Sequence, residues 1–152
     1  MGQPSIGTGE EECNCSALRR AARRVSLLYD RHLAANGLTN GQYAILVEID
    51  RRGAAAPTLG ELAEALIMDR AALAHTLKPL ERDGLIELTT DPTDRRARLV
   101  RITGQGRLKH AVARHAWRTA QAKFTASFGE DQAIALRALL RLVGSVDVGE
   151  RH

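Results

Sequence analysis

The residues of this chain best equipped for chemistry are packed between positions 91 and 109. Six basic side chains (Arg95, Arg96, Arg98, Arg101, Arg107, Lys109) stand there against two acids, Asp91 and Asp94, a net +4 that equals the formal charge of the whole 152-residue chain. So local an excess is an electrostatic footprint for a polyanion. Its setting sharpens that reading. Asp91-Pro92 opens a turn, since proline presets φ and an aspartate side chain can bond the backbone two residues on. The runs on either side, 85–90 and 99–103, alternate apolar and polar residues as a half-buried hairpin does. The turn therefore carries Arg95 and Arg96 outward on a two-stranded arm.

The elements that must position this tip read as helices. Hydrophobic residues make up 44% of the chain but aromatics only 3%, so the core rests on Leu, Ala, Ile and Val. A first helix is expected over residues 16 to 36, with a stripe of Leu18, Ala21, Ala22, Val25, Leu28, Tyr29 and Leu33 and a stop at Gly37. Capping-box spacings at Thr39/Gln42 and Thr58/Glu61 open helices reaching about Arg52 and Leu66. Asp69 caps a fourth helix that runs to about Asp83, stops at Gly84, and is bent by Pro79. After the hairpin, Thr103 caps a long helix to about Phe128, and a last helix runs from about Glu130 to Ser145. Ile134, Leu136, Leu139, Leu140 and Val143 give that last helix a broad apolar face in want of a partner.

A helix-turn-helix followed by an arginine-tipped hairpin is the layout of a winged-helix DNA reader. Over about residues 16 to 146 the chain resembles the MarR (multiple antibiotic resistance regulator) family. The residues carrying the resemblance are Leu38-Thr39-Asn40-Gly41-Gln42-Tyr43, Leu59-Gly60-Glu61-Leu62-Ala63, Leu80-Glu81-Arg82-Asp83-Gly84-Leu85-Ile86, and the run from Asp91 to Thr103. The expected fold class is mainly α (α+β): a winged helix-turn-helix DNA-binding region (38–103) between long helices for dimerisation (16–37 and 104–146). Residues 1–15 are read as a flexible leader without the apolar run of a signal peptide, and 147–152 as a flexible tail.

The resemblance implies a two-fold dimer on a roughly palindromic operator, with the fourth helix in the major groove and the wing tips toward the flanking minor groove. On that basis Arg96 is the candidate for minor-groove insertion, where narrow A·T-rich stretches concentrate negative potential. Arg95, Arg98 and Lys78 would serve phosphates, and Asp94 would pair with a nearby arginine to hold the tip in shape. For Arg70, phosphate and base contact are both open. The reading helix departs from the family's common pattern, with Ala71, Ala72, Ala74 and His75 where relatives often place Ser, Thr, Arg or Asn. Alanine can touch a thymine methyl but cannot make the bidentate bonds that single out guanine or adenine. Direct readout would rest on His75, Thr76 and Arg70, unless the alanines are simply good helix formers.

Cys13 and Cys15 are the second group with chemistry. Two cysteines make no disulfide framework, and a reducing, cytoplasmic setting fits them. Cys15 stands at the start of the first helix, where unpaired N–H groups favour a thiolate, with Arg19 one turn along. The organic-hydroperoxide regulators within the family carry a sensing cysteine there, and Tyr29 matches a tyrosine near that thiol. Arg19 and Asn40 stand where those proteins have further tyrosines, so the polarising pocket is incomplete. An inert cysteine and, less well supported, metal binding stay open beside the sensor reading.

For the family's effector, commonly an apolar or aromatic acid, the resemblance implies a pocket that Tyr29, His32 and Tyr43 could line. An enzyme is disfavoured. His32, His75, His110, His115 and His152 form no metal-ligand spacing, no glycine-rich phosphate loop appears, and no cofactor or membrane partner is implied. Ordinary surface positions account for His110 and His115. The functional readings carried forward are an effector-released regulator (a repressor, as most often in the family), an oxidation-sensing repressor using Cys15, and a sequence-tolerant architectural DNA binder.

Overall fold

The structure, a computed structural model, describes residues 13–149. Helix α1 (Asn14–Leu33) ends in a 3₁₀ turn (Ala34–Asn36) that Gly37 closes in the left-handed region, at φ 68°. It starts two residues earlier than expected, with Cys13 at its N-cap, so Asn14 and Cys15 are helical and not part of a leader. Residues 1–12 of the expected leader and 150–152 of the expected tail lie outside the described residues.

The cap signals place the next elements. In α2 (Asn40–Arg51) the Thr39 hydroxyl accepts from the Gln42 N–H at 3.2 Å while the Gln42 side chain accepts from the Thr39 N–H at 3.0 Å. Thr58 and Glu61 repeat that reciprocal pair at the start of α3 (Leu59–Ala65), at 3.1 and 2.7 Å. The Asp69 carboxylate accepts from the Ala72 N–H at 2.9 Å to open α4 (Arg70–Arg82), which continues through Pro79. Between α3 and α4 the chain turns at Ile67, a β-branched residue at φ 51°.

Strands β1 (Ile86–Thr90) and β2 (Arg98–Ile102) pair antiparallel with Leu88 opposite Val100. The hairpin is less of a free arm than its sequence suggests. The Val100 N–H donates to the Pro57 carbonyl at 2.9 Å, and Thr58 bridges Leu99. Leu99 and Val100 are therefore both buried in succession, which breaks the expected alternation. A two-stranded ribbon is marginal alone, and this lateral tie anchors its base.

Helix α5 (Gly104–Phe128) begins on the Thr103 cap and α6 (Glu130–Gly144) follows Gly129. The first turn of α5 lies against the start of β1. The Thr103 hydroxyl donates to the Gly84 carbonyl at 2.6 Å, and a Cβ on Gly106 would stand 2.0 Å from the Leu85 carbonyl oxygen. Glycine is what lets the two backbones approach so closely.

The core forms where the end of α1, the helices α2 to α4, the hairpin and the first half of α5 converge, around Leu33, Leu46, Leu62, Leu73, Leu80 and Val100. Away from it the expected stripes face solvent. In α1 Tyr29 and Leu33 are buried, whereas Leu18, Ala21 and Ala22 are exposed. In α6 Ala133 is buried, while Ile134, Leu139, Leu140, Leu142 and Val143 are exposed. Among the described residues, no helix is long and apolar enough to cross a membrane.

Candidate nucleic-acid interface and an adjoining cavity

Helix α4 buries Leu73, Leu77 and Leu80 and turns Ala71, His75 and Lys78 outward, one stripe at helical spacing, with Ala72 beside it. Arg70, at the first helical position, is also exposed, and Ala74 is half-buried. Thr76 is less available than its sequence position suggests. Its hydroxyl donates to the Ala72 carbonyl at 2.9 Å, so its one proton is committed to its own helix.

The wing tip is tied by its two aspartates. Asp91 accepts from the N–H and the hydroxyl of Thr93, at 2.8 and 2.7 Å, and these bonds hold its carboxyl below the usual range. Asp94 accepts from the Arg96 N–H at 2.9 Å. The expected pairing of Asp94 with an arginine side chain is not what the structure shows: among the described residues its carboxylate is in no ion pair, and it braces the tip through the backbone. Arg95, Arg96 and Arg98 are exposed and likewise in no ion pair among the described residues.

Behind this face, a cavity of about 640 Å³ opens between α2 and α5, lined by Tyr43, Val47, His110, Arg114, Trp117 and Arg118, among others. Tyr43 stacks on Trp117 with ring centroids 6.3 Å apart and tilts against His110 at 5.4 Å. Burial pushes the Tyr43 phenol up, and the Arg114 charge draws it partly back. On the α2 side, burial raises the Glu48 carboxyl but hydrogen bonds from Arg51 and Arg52 outweigh it, leaving it below the usual range. His110 is only 5% exposed, with Nδ1 3.2 Å from an Asp50 carboxylate oxygen; the other oxygen lies 3.8 Å from Arg107.

His110 is not a surface histidine; it occupies the buried face of α5 with Gly106, Ala113 and Ala120, and that four-, three- and seven-residue spacing was the signal available in the sequence. Of the three residues expected at an effector pocket, Tyr43 lines this cavity. Tyr29 donates to the Gln121 side chain, and His32 Nδ1 sits 2.8 Å from the Leu28 carbonyl.

Both cysteines are exposed. The thiol at the N-cap of α1 is Cys13 and not Cys15, and hydrogen bonding from the Ser16 backbone, above all, draws it below the ordinary thiol value. Tyr29 stands fourteen residues beyond Cys15 on the same helix, a rise of about 21 Å. A single chain therefore does not bring that tyrosine to that thiol.

Comparison with known proteins agrees with this architecture. The MarR family model matches residues 38–97, from the approach to α2 to the wing tip. Among solved structures, the transcriptional regulator MosR of M. tuberculosis is 31% identical, aligning over 91% of this chain and 100% of MosR with a TM-score of 0.76. The chain belongs to the MarR family. CouR, a transcriptional repressor solved on a 23-mer DNA duplex, is 29% identical over 91% of this chain and 98% of its own, with a TM-score of 0.78. BadR of Rhodopseudomonas palustris, named a transcriptional activatory protein, is 37% identical over 102 residues, which are 66% of this chain and 54% of BadR. The chain spans about half the length of the curated relatives it matches. In this MarR-family chain the family model covers α2 to the wing tip, whereas His110, Arg114 and Trp117 of the cavity lie beyond it on α5.

Proposed function

We propose that this chain is a dimeric DNA-binding regulator of transcription that represses from a pseudo-palindromic operator and is released by a small organic anion. The observation carrying the proposal is that Arg70 at the start of α4 and Arg96 and Arg98 of the wing line one cleft. The reading helix and the wing thus share an anion-seeking face. MosR and CouR, the likeness to both extending over nearly the whole fold, have each been solved with DNA.

Dimerisation is supported by the exposed apolar faces of α6 and the first half of α1, which a second copy would cover. Two-fold symmetry would set half-sites about one helical turn apart. With Ala71 and Ala72 on the outward face of α4, few base edges can be read by hydrogen bonds. Arg96 in the minor groove would add shape readout, with Arg95, Arg98 and Lys78 on phosphates.

The release step rests on the α2–α5 cavity. Its aromatic wall (Tyr43, Trp117) and paired arginines (Arg114, Arg118) suit a flat organic anion, and its size falls in the small-molecule range. CouR, 26% identical in that structure, was solved with p-coumaroyl-CoA. A ligand wedged between α2 and α5 would shift the DNA-binding region against the long helices, and release of a repressor follows from such a shift.

The test is a DNA-release titration with aromatic carboxylates, wild type beside Arg114→Ala. Release by at least one acid, weakened in the variant, supports the reading; release unaffected by Arg114→Ala removes the cavity from it. Equal affinity for every duplex would leave a sequence-tolerant binder instead. One observation favours an oxidation-sensing variant, the exposed Cys13 thiol at the α1 N-cap. Peroxide-driven release that survives Cys13→Ser and Cys15→Ser together would sink it.

A further inference from the structure

Gly60, the second residue of α3, lies under the guanidinium of Arg70. A Cβ on Gly60 would stand 2.9 Å from Nη2, 3.3 Å from Cζ and 3.6 Å from Nε, so the guanidinium occupies the space that a side chain at this position would need. No other side chain would leave that seat open, yet the obstruction concerns only the tip of a long flexible side chain. Alanine at 60 would displace the guanidinium without disturbing the fold.

The seated guanidinium faces the wing. Arg70, Arg96 and Arg98 line a cleft of about 430 Å³ together with Thr58, Gly60 and Asp94. The one acid in that set, Asp94, is engaged with the Arg96 N–H at 2.9 Å. Arg70 also lines a second cleft, together with Glu61 and Glu64. Glu61 is occupied by the Thr58 N–H, and neither carboxylate forms an ion pair with Arg70. Three arginines, from α4 and from the wing, thus line one space with little negative charge to neutralise them.

We propose that Gly60 is a positioning residue that seats Arg70, and that Arg70 and Arg98 form a clamp for one backbone phosphate of duplex DNA, beside Arg96 at the minor groove. The inference rests on the DNA-binding reading and deepens it, because it assigns Arg70 to the phosphate and not to a base. The clamp would fix the wing relative to α4 on the duplex, which sets register without reading sequence. Arginine suits it, since the planar fork meets phosphate oxygens in pairs.

The experiment titrates one fixed duplex with the full chain as wild type, Gly60→Ala, Arg70→Ala and the double variant, over a series of salt concentrations. A phosphate contact is independent of sequence, so any duplex serves. Arg70→Ala is expected to weaken binding and reduce the slope of log affinity against log salt by about 0.9, one neutralised phosphate. Gly60→Ala is expected to weaken binding with no fall in the thermal unfolding midpoint, and the double variant to bind as Arg70→Ala does.

If Gly60→Ala costs as much affinity in the Arg70→Ala background as in wild type, the seat is refuted. If all four proteins bind and share one salt slope, the clamp is refuted and the DNA-binding reading stands. A wild-type chain that binds no duplex overturns both. Millimolar inorganic phosphate at matched ionic strength is expected to leave the titration unchanged; competition would assign the cleft to free phosphate and overturn the DNA assignment.

Discussion

Nδ1 of His110 on α5 stands 3.2 Å from the Asp50 carboxylate on α2, a polar contact between the long helix and the DNA-binding region at the wall of the cavity. A histidine so deeply buried needs a polar partner, and the Asp50 carboxylate supplies one to Nδ1. His110→Ala would leave a cavity and an under-partnered carboxylate, and the loss should be about 2–3 kcal/mol of unfolding free energy. Urea denaturation at one fixed protein concentration measures it. A variant as stable as wild type would show that the pair does not hold α2 to α5.

The close approach of α5 to β1 gives a second expectation. Gly106→Ala forces a Cβ into the Leu85 carbonyl, a backbone atom that cannot swing aside. Overpacking of that kind costs about 1–3 kcal/mol. Because the contact lies at the root of the wing, DNA affinity should fall with stability. Gly104→Ala, where nothing lies near the new Cβ, is the control and should be neutral or slightly stabilising.

The turn between α3 and α4 carries strain that can be relieved. Ile67 is 75% exposed and held at φ 51°, so it gains little from burial while paying the left-handed penalty of a β-branched side chain. Ile67→Gly or Ile67→Asn should stabilise the fold by about 1 kcal/mol. For a chain of this length that raises the unfolding midpoint by about 2–4 °C. A drop in midpoint would show that Ile67 is buried by something outside this chain, for example a second copy.

How far these positions were legible in the sequence depends on how local their causes are. The caps at Thr39, Thr58, Asp69 and Thr103 were, because a cap and the N–H it bonds lie within three residues. The Asp91 turn was legible for the same reason. The start of α1 was not, since cysteine is not among the side chains that mark an N-cap, and the shift of two residues exchanged the roles of the two cysteines. His110 was missed because its partner Asp50 lies sixty residues away in sequence. The successive burial of Leu99 and Val100 likewise depends on Pro57 and Thr58, outside the hairpin. Which way Tyr29 and His32 face was not fixed by the stripe on α1, because much of that stripe packs against nothing within the chain.

The cysteines give a prediction with a definite pH sign. Hydrogen bonding lowers the Cys13 thiol from its ordinary value, so more of it is thiolate at any pH below that value. Alkylation followed by peptide mass spectrometry should show Cys13 modified at lower pH than a free reference thiol. An alkylation profile that coincides with the reference would remove the α1 N-cap as an activating environment.

The central claim is that two copies of this chain place two reading helices and two arginine-tipped wings on one duplex. Selection from a randomised duplex library by the purified full chain, followed by sequencing of the bound pool, tests it most directly. Enrichment of a two-fold-symmetric site with half-site centres about one helical turn apart is expected. A pool that stays random, or that converges on a single asymmetric half-site, would contradict it.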